Sequence, residues 1–259
     1  MKPSSKVAIA VALIIAIVGV LFLYIQISKK IYVFVPLSVD VYLGDKFSKQ
    51  FEKNIPVVKD SKYLKFLNSL TEEFTRDSKF DSYTVQVMDS EEVNAFALPG
   101  GKIYFFKGLL EQAQSPEEVA TVLAHEIAHV EKRHSVQQLC RSITHILLFR
   151  LAIGGEFSEA EFAETVAELS SIFLLLSYSR EFEREADEIA IETCLKFNID
   201  LAGFIDFFER LEHESGSIEI PSFLSTHPSY HNRIENIKDI MNKQEEPFKE
   251  FLHWPTEEK

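Results

Sequence analysis

Residues 115–130 read SPEEVATVLAHEIAHV, from Ser115 to Val130, and the reading of this stretch decides the fold. Ser115 is a natural N-cap, Pro116 suits the first helical position, and Glu118 stands where a capping box places its glutamate. A helix is therefore expected from Pro116 through about His134. Val122, Leu123, Ala124, Ile127, Ala128 and Val130 leave the middle of it no solvated face, so it should be buried. His125-Glu126-Ile127-Ala128-His129 lies within that buried part. On a helix, residues four apart are separated by about 40°, so the two imidazoles face one way and can hold one ion. Glu126 lies about 100° from His125, near that ion without being forced to bind it. That is where a base acting on an activated water belongs. Ionisable groups on a buried helix are costly unless paired or metal-bound. The metal that suits them is zinc, one ion per chain, which in a reactive site takes three protein ligands and keeps a fourth position open.

His134 is nine positions after His125, about 180° around a continuing helix, and so is expected to face away from the ion. The third ligand has to come from elsewhere. Residues 178–188, Tyr-Ser-Arg-Glu-Phe-Glu-Arg-Glu-Ala-Asp-Glu, are crowded with carboxylates. Spacing alone leaves Glu181, Glu183, Glu185 and Asp187 as candidates. Glu183 and Asp187 are four apart and share a face with Ala190 and Ile191 nearby, whereas Glu181, Arg184, Glu185 and Glu188 suit a solvated charged face.

Outward from the helix the pattern is α+β and mainly helical. Helices are expected over 39–51, 61–75, 159–176, 180–197, 202–212 and 233–243 from the spacing of their apolar residues. Tyr83, Val85 and Val87 alternate with polar neighbours as in a half-buried strand. Residues 94–98 and 102–106 are short apolar runs joined by Pro99-Gly100-Gly101, which predicts two extended segments around a turn. The apolar stretches 143–153 and 172–176 are too short to span a membrane, and the first contains His145 and Arg150. They are read as core helices, or at most an interfacial patch. Cys140 and Cys194 have neither metal-ligand nor redox spacing and are read as packing residues.

The N-terminus is different. Residues 7–27 are almost wholly apolar, long enough as a helix to cross about 30 Å of hydrocarbon. The run exceeds the apolar core of a cleavable leader and ends without a small-x-small site, so it is read as an uncleaved transmembrane helix. This divides the chain into a basic tail (1–6), an anchor (7–27), a connector (28–38), one domain (39–244) and an acidic tail (245–259). A short basic tail, a long apolar run and a large following domain fit a single-pass protein with its domain outside the cytoplasm, periplasmic if bacterial. The formal net charge is −13. Four of the 27 basic residues and none of the 40 acidic ones precede residue 31, so the remainder is more negative still. Such a surface repels nucleic acid, which is excluded as a partner.

Four segments together carry a resemblance: Asn-Ala-Phe-Ala-Leu-Pro-Gly-Gly (94–101), Leu-Ala-His-Glu-Ile-Ala-His-Val (123–130), Tyr-Ser-Arg-Glu-Phe-Glu-Arg-Glu-Ala-Asp (178–187) and Thr-His-Pro-Ser-Tyr-His-Asn-Arg-Ile (226–234). In this order the chain resembles the membrane-associated zinc peptidase family of HtpX, the CAAX prenyl endopeptidases and single-anchor envelope relatives such as BepA. The resemblance implies a zincin-like metallopeptidase domain with a small β-sheet. It implies His125, His129 and Glu183 as zinc ligands, with Glu126 the general base in hydrolysis of a polypeptide. It also implies His227 as the group that stabilises the oxyanion, Asp187 and Arg233 as supports behind the ligands, and Asn94, Ala95 and Phe96 as the edge that holds substrate backbone. From the residues alone, His231 would be as eligible as His227. The long membrane hairpins of some members are missing, which favours the single-anchor, protein quality-control branch, with misfolded or exposed membrane and envelope proteins as substrates. The rival is a catalytically silent, zinc-stabilised module tethered to the membrane for binding or chaperoning; such a module has no need of a base at Glu126.

Overall fold

The computed structural model describes residues 28–59, 62–154, 158–161, 164–165, 177–214, 222–227 and 230–242, with scattered positions before residue 28. About half of the expected anchor at 7–27 and most of the expected helix at 159–176 lie outside these residues. Among the described residues, no helix is long and apolar enough to cross a membrane.

The chain falls into two compact units, 37–135 with 170–259, and 1–36 with 136–169. The first contains the sheet and most of the helices. Its elements are α1 (Leu37–Phe51), α2 (Tyr63–Phe74), β1 (Thr84–Met88), β2 (Ala95–Leu98), β3 (Lys102–Phe106), α3 (Lys107–Gln112) and α4 (Pro116–Glu131). After α5 (His134–Ala152), which carries the chain into the other unit, come α6 (Arg180–Lys196), α7 (Ala202–Glu214), α8 (Ser222–Thr226) and α9 (Tyr230–Met241).

The three strands run in the order β1-β3-β2, with β1 parallel and β2 antiparallel to β3. The expected turn joins β2 to β3, pairing Leu98 with Lys102 and Ala95 with Phe105. Gly100 and Gly101 sit there at φ +74° and +86°, backbone that a side chain resists. A Cβ on Gly100 would also lie 2.7 Å from the Cα of Val41, so the turn is pressed against α1. Alternation gives the sheet two distinct faces. Ala95, Ala97, Ile103 and Phe105 join the main core, whereas Phe96, Tyr104 and Phe106 gather around Phe51 of α1. Both faces are covered, which is why so short a sheet is buried almost throughout.

Helix α4 is the axis of this unit, packed against β2, α2, α6 and α7. Every residue from Pro116 to Val130 is buried. Ser115 Oγ accepts a hydrogen bond from Glu118 N–H, as a cap should. The return half of the capping box is rerouted. The Glu118 carboxylate accepts instead from Gln114 N–H (3.0 Å) and pairs with Arg210 of α7, tying the helix start to its neighbour.

The C-terminal end corrects the sequence expectation. The helix stops at Glu131 rather than His134, because Arg133 adopts φ +57° and turns the chain into α5. What holds Arg133 there comes from far away in sequence. Its Nε donates to Asp40 Oδ1 at 3.0 Å, and its Nη2 pairs with the other carboxylate oxygen. Asp40 is 1% exposed and Arg133 9%. Removing one member of a buried pair strands the other charge. Asp40→Ala is therefore expected to destabilise the unit by about 3–5 kcal/mol, read as a lower midpoint in urea unfolding.

In the second unit, Ile31–Phe34 form a 3-10 turn and the rings of Tyr24 and His145 lie 5.9 Å apart. The stretch 143–153 is not core. Leu147, Phe149, Leu151 and Ile153 are 40%, 67%, 73% and 63% exposed, so the core reading fails there. Both cysteines are free thiols, Cys140 half-buried and Cys194 buried. Burial pushes the Cys194 thiol up to about 12, which suits a packing residue.

Candidate metal centre

The site is built where α4 meets α6. On α6 the burial alternates as an amphipathic helix demands: Phe182, Glu183, Ala186, Asp187 and Ala190 face inward, while Glu181, Arg184 and Glu188 are exposed. Ser179 caps this helix by accepting from Phe182 N–H at 3.3 Å. The two carboxylates four apart are thus carried onto the two histidines four apart. His227, at the end of α8, comes onto the same spot from the C-terminal part of the chain.

Four donors converge there: His125, His129, Glu183 and His227, with one ligand atom from each lying within 4.8 Å of all the others. His125 Nε2 is 2.9 Å from His129 Nε2, and each lies 3.5 Å from an oxygen of Glu183. His227 Nδ1 is 3.2 Å from His125 Nε2 and 3.2 Å from Glu183 Oε1. Bonds of about 2.0–2.2 Å to a tetrahedral zinc put neighbouring ligand atoms about 3.3–3.6 Å apart. The observed separations are close to those edges, so the donors fit the ion with little adjustment. All four side chains are 1% exposed.

Electrostatics favours the same use. Burial, and then the neighbouring His125, push His129 well below the ordinary histidine range, so its imidazole is neutral and its lone pair is free to bind a cation. His125 Nδ1 lies 3.0 Å from Asp187 Oδ1, an N–H···carboxylate contact that leaves Nε2 as the metal-facing atom. Glu126 is fully buried, with Oε1 3.4 Å from His227 Nε2.

The other expected residues are placed as follows. Asn94 does not turn its side chain to an open edge. Its Oδ1 accepts from Ala95 N–H (2.9 Å) and from the Thr226 hydroxyl (3.4 Å), while Val93 C=O accepts from Phe223 N–H. This end of β2 therefore anchors α8 and, through it, His227. Ala95 is buried in the core and Phe96 stacks on Tyr104. The side chains of Arg233 and His231 lie outside the described residues. Glu185 is not in the cluster; it is 37% exposed and ion-paired with Lys132 at 2.7 Å.

His134 stays away from the donor cluster as expected, though not for the angular reason. Because α4 ends early, that argument does not reach it, and its Nδ1 lies 2.9 Å from His129 Nδ1, the ring nitrogen outside the cluster. The sequence also offered no signal for Tyr178. Its ring stacks on His129 with centroids 4.0 Å apart, and its hydroxyl bonds Ser135 Oγ at 2.7 Å. Phe223, tilted against His227 at 4.6 Å, was equally invisible.

A buried helix presenting two histidines and a glutamate, completed by a carboxylate from a second helix, is a donor set suited to zinc. Residues 65–241 match the description "Peptidase family M48", and the chain belongs to that family. It is similar to the mitochondrial metalloendopeptidase OMA1 of Bos taurus, 28% identical over 179 residues, which cover 62% of this chain and 32% of that one. It is likewise similar to a putative beta-barrel assembly-enhancing protease of Vibrio cholerae, 30% identical over 215 residues, 78% of this chain and 44% of that one. The mitochondrial metalloendopeptidase OMA1 of Schizosaccharomyces pombe is 32% identical over 163 residues, 61% and 46% of the two chains. The chain spans less than half the length of each of these relatives.

Proposed function

We propose that this protein is a zinc-dependent endopeptidase that hydrolyses peptide bonds in misfolded or exposed segments of membrane or envelope proteins, tethered to the membrane by residues 7–27 with its site outside the cytoplasm. The observation that carries the reading is the convergence of His125, His129 and Glu183 beside a buried Glu126. These three side chains are assigned to hold the ion. Zinc in such a setting supplies Lewis acidity, making water acidic enough to lose a proton near neutral pH and polarising a carbonyl. Glu126 takes the proton of the water that attacks the peptide carbon, then delivers it to the nitrogen as the C–N bond breaks. Asp187 fixes the ring of His125 through the 3.0 Å contact at Nδ1.

A reactive site keeps one position open. His227 Nδ1 lies among the other three donors and would serve as a fourth ligand to a bound ion, so admitting water and substrate would require its ring to move aside. Once displaced, its N–H is at hand to donate to the oxyanion. Asn94 also holds this histidine's segment in place, and Asn94, Ala95 and Phe96 remain the proposed edge for substrate backbone.

The fourth protein donor also favours a second reading, since four protein donors would close a structural zinc site. That reading is the silent, zinc-stabilised module. One experiment separates the two. The full chain, purified in detergent, is incubated with an unfolded test protein before and after removal of zinc by a chelator. Cleavage that stops on chelation and returns with added zinc is expected. Stoichiometric zinc with no cleavage would support the silent module, and absence of zinc would overturn both.

A further inference from the structure

The imidazole of His129 has two working nitrogens, and the proposed function uses one. Nε2 belongs to the donor cluster, whereas Nδ1 points to His134 Nδ1 at 2.9 Å. His134 in turn places Nε2 3.2 Å from Glu185 Oε2, and Glu185 Oε1 receives Lys132 Nζ at 2.7 Å. The protons order themselves along this line. A ring nitrogen that gives its lone pair to a metal leaves the proton on the other nitrogen. His129 therefore donates from Nδ1–H, and His134 must accept at Nδ1. That fixes the proton of His134 on Nε2, where it is donated to the Glu185 carboxylate. Both rings are then neutral with every ring N–H in a hydrogen bond. His134 is fully buried and its ring stacks on Phe182 with centroids 4.3 Å apart, so its plane is held as well. The two ligand histidines are supported by different devices: His125 by Asp187 directly, His129 by a carboxylate acting through a second imidazole.

We propose that His134 is a positioning residue for the metal centre and that Glu185 acts through it, the pair fixing the tautomer and ring plane of His129 so that its Nε2 lone pair is aimed at the ion. The proposal rests on the zinc reading above. It accounts for a buried histidine and for a carboxylate that both lie outside the donor cluster. It also gives a use to the early end of α4, which brings His134 to the back of His129.

The test compares His134→Asn, His134→Gln and His134→Phe in the full chain, with zinc dissociation measured by competition with a chromogenic chelator. Asparagine sets an amide oxygen where Nδ1 stood and can still accept from His129. Glutamine reaches toward Glu185 and phenylalanine keeps only the stacking. The Phe and Gln variants are expected to bind zinc about 10–100-fold more weakly, and Asn to stay near the wild-type affinity. Glu185→Gln should lose less than His134→Phe, because the bond to His129 survives. The visible spectrum of the cobalt-substituted protein should change in the Phe and Gln variants and be retained in Asn. A Phe variant that melts like wild type and binds zinc as tightly would overturn the proposal. Should the Phe variant fail to fold, equal affinities for Asn and Gln would overturn it just as well. A wild-type chain without zinc would instead overturn the function reading, and this inference with it.

Discussion

Glu126→Gln is expected to leave zinc bound and abolish cleavage of an unfolded test protein. The substitution keeps the size and hydrogen-bonding shape of a side chain that is fully buried on α4, so the fold has no cavity to absorb. What it removes is the capacity to take a proton. A positioned general base is worth about 10²–10⁴ in rate, and Glu126 is assigned both the deprotonation of water and the return of the proton to the departing amine. The loss should fall on kcat, with little change in KM, because the base acts in the transition state rather than in substrate binding. Zinc content should match wild type, since none of the converging donor atoms belongs to residue 126. Equal turnover by the two proteins would remove Glu126 from the mechanism.

That prediction was available from the sequence because everything behind it is local. A cap, a proline at the first turn and an unbroken apolar run describe α4, and a four-residue interval places both imidazoles on one side of it. The β2–β3 turn was legible for the same reason, since two glycines at positive φ announce themselves by being glycines. The end of α4 was not. An arginine at φ +57° carries no compositional mark, and its restraint is an aspartate 93 positions away. His134 lies outside the donor cluster as expected, but its contact with His129 was hidden in consequence. The choice among the carboxylates of α6 was half-legible: the i,i+4 pairing singled out Glu183 and Asp187 as one face, but only packing against α4 decides which face is inward. The same residues left His227 and His231 equivalent, because the expected helix began only at 233, whereas α9 starts at Tyr230 and includes His231. Tyr178 and Phe223 were not legible either, placed by contacts that span the chain.

Glu183→Ala tests the part of the site that only resemblance and packing supplied, and its expected effect is a large loss of zinc affinity. Binding of a structural zinc by a peptide site is worth about 10–16 kcal/mol, so an even share for one of four donors is about 2.5–4 kcal/mol, or a weakening of about 10²–10³-fold. Glu183 should carry at least its share because it is the one anionic donor of the cluster. Without it a doubly charged ion would sit among imidazoles in a buried pocket, where charge is costly to hold. The three histidines remain within reach of each other, so residual binding is expected rather than none. Stability follows affinity: a ligand present at 1,000 times its Kd stabilises the folded state by about 4 kcal/mol, and the variant should forfeit most of that. Its melting temperature in zinc should accordingly drop toward the value that wild type shows after chelation. A variant that keeps wild-type affinity and wild-type melting behaviour would show that α6 brings Glu183 to the ion without binding it, and the search for the anionic ligand would then pass to the neighbouring carboxylates of the same helix.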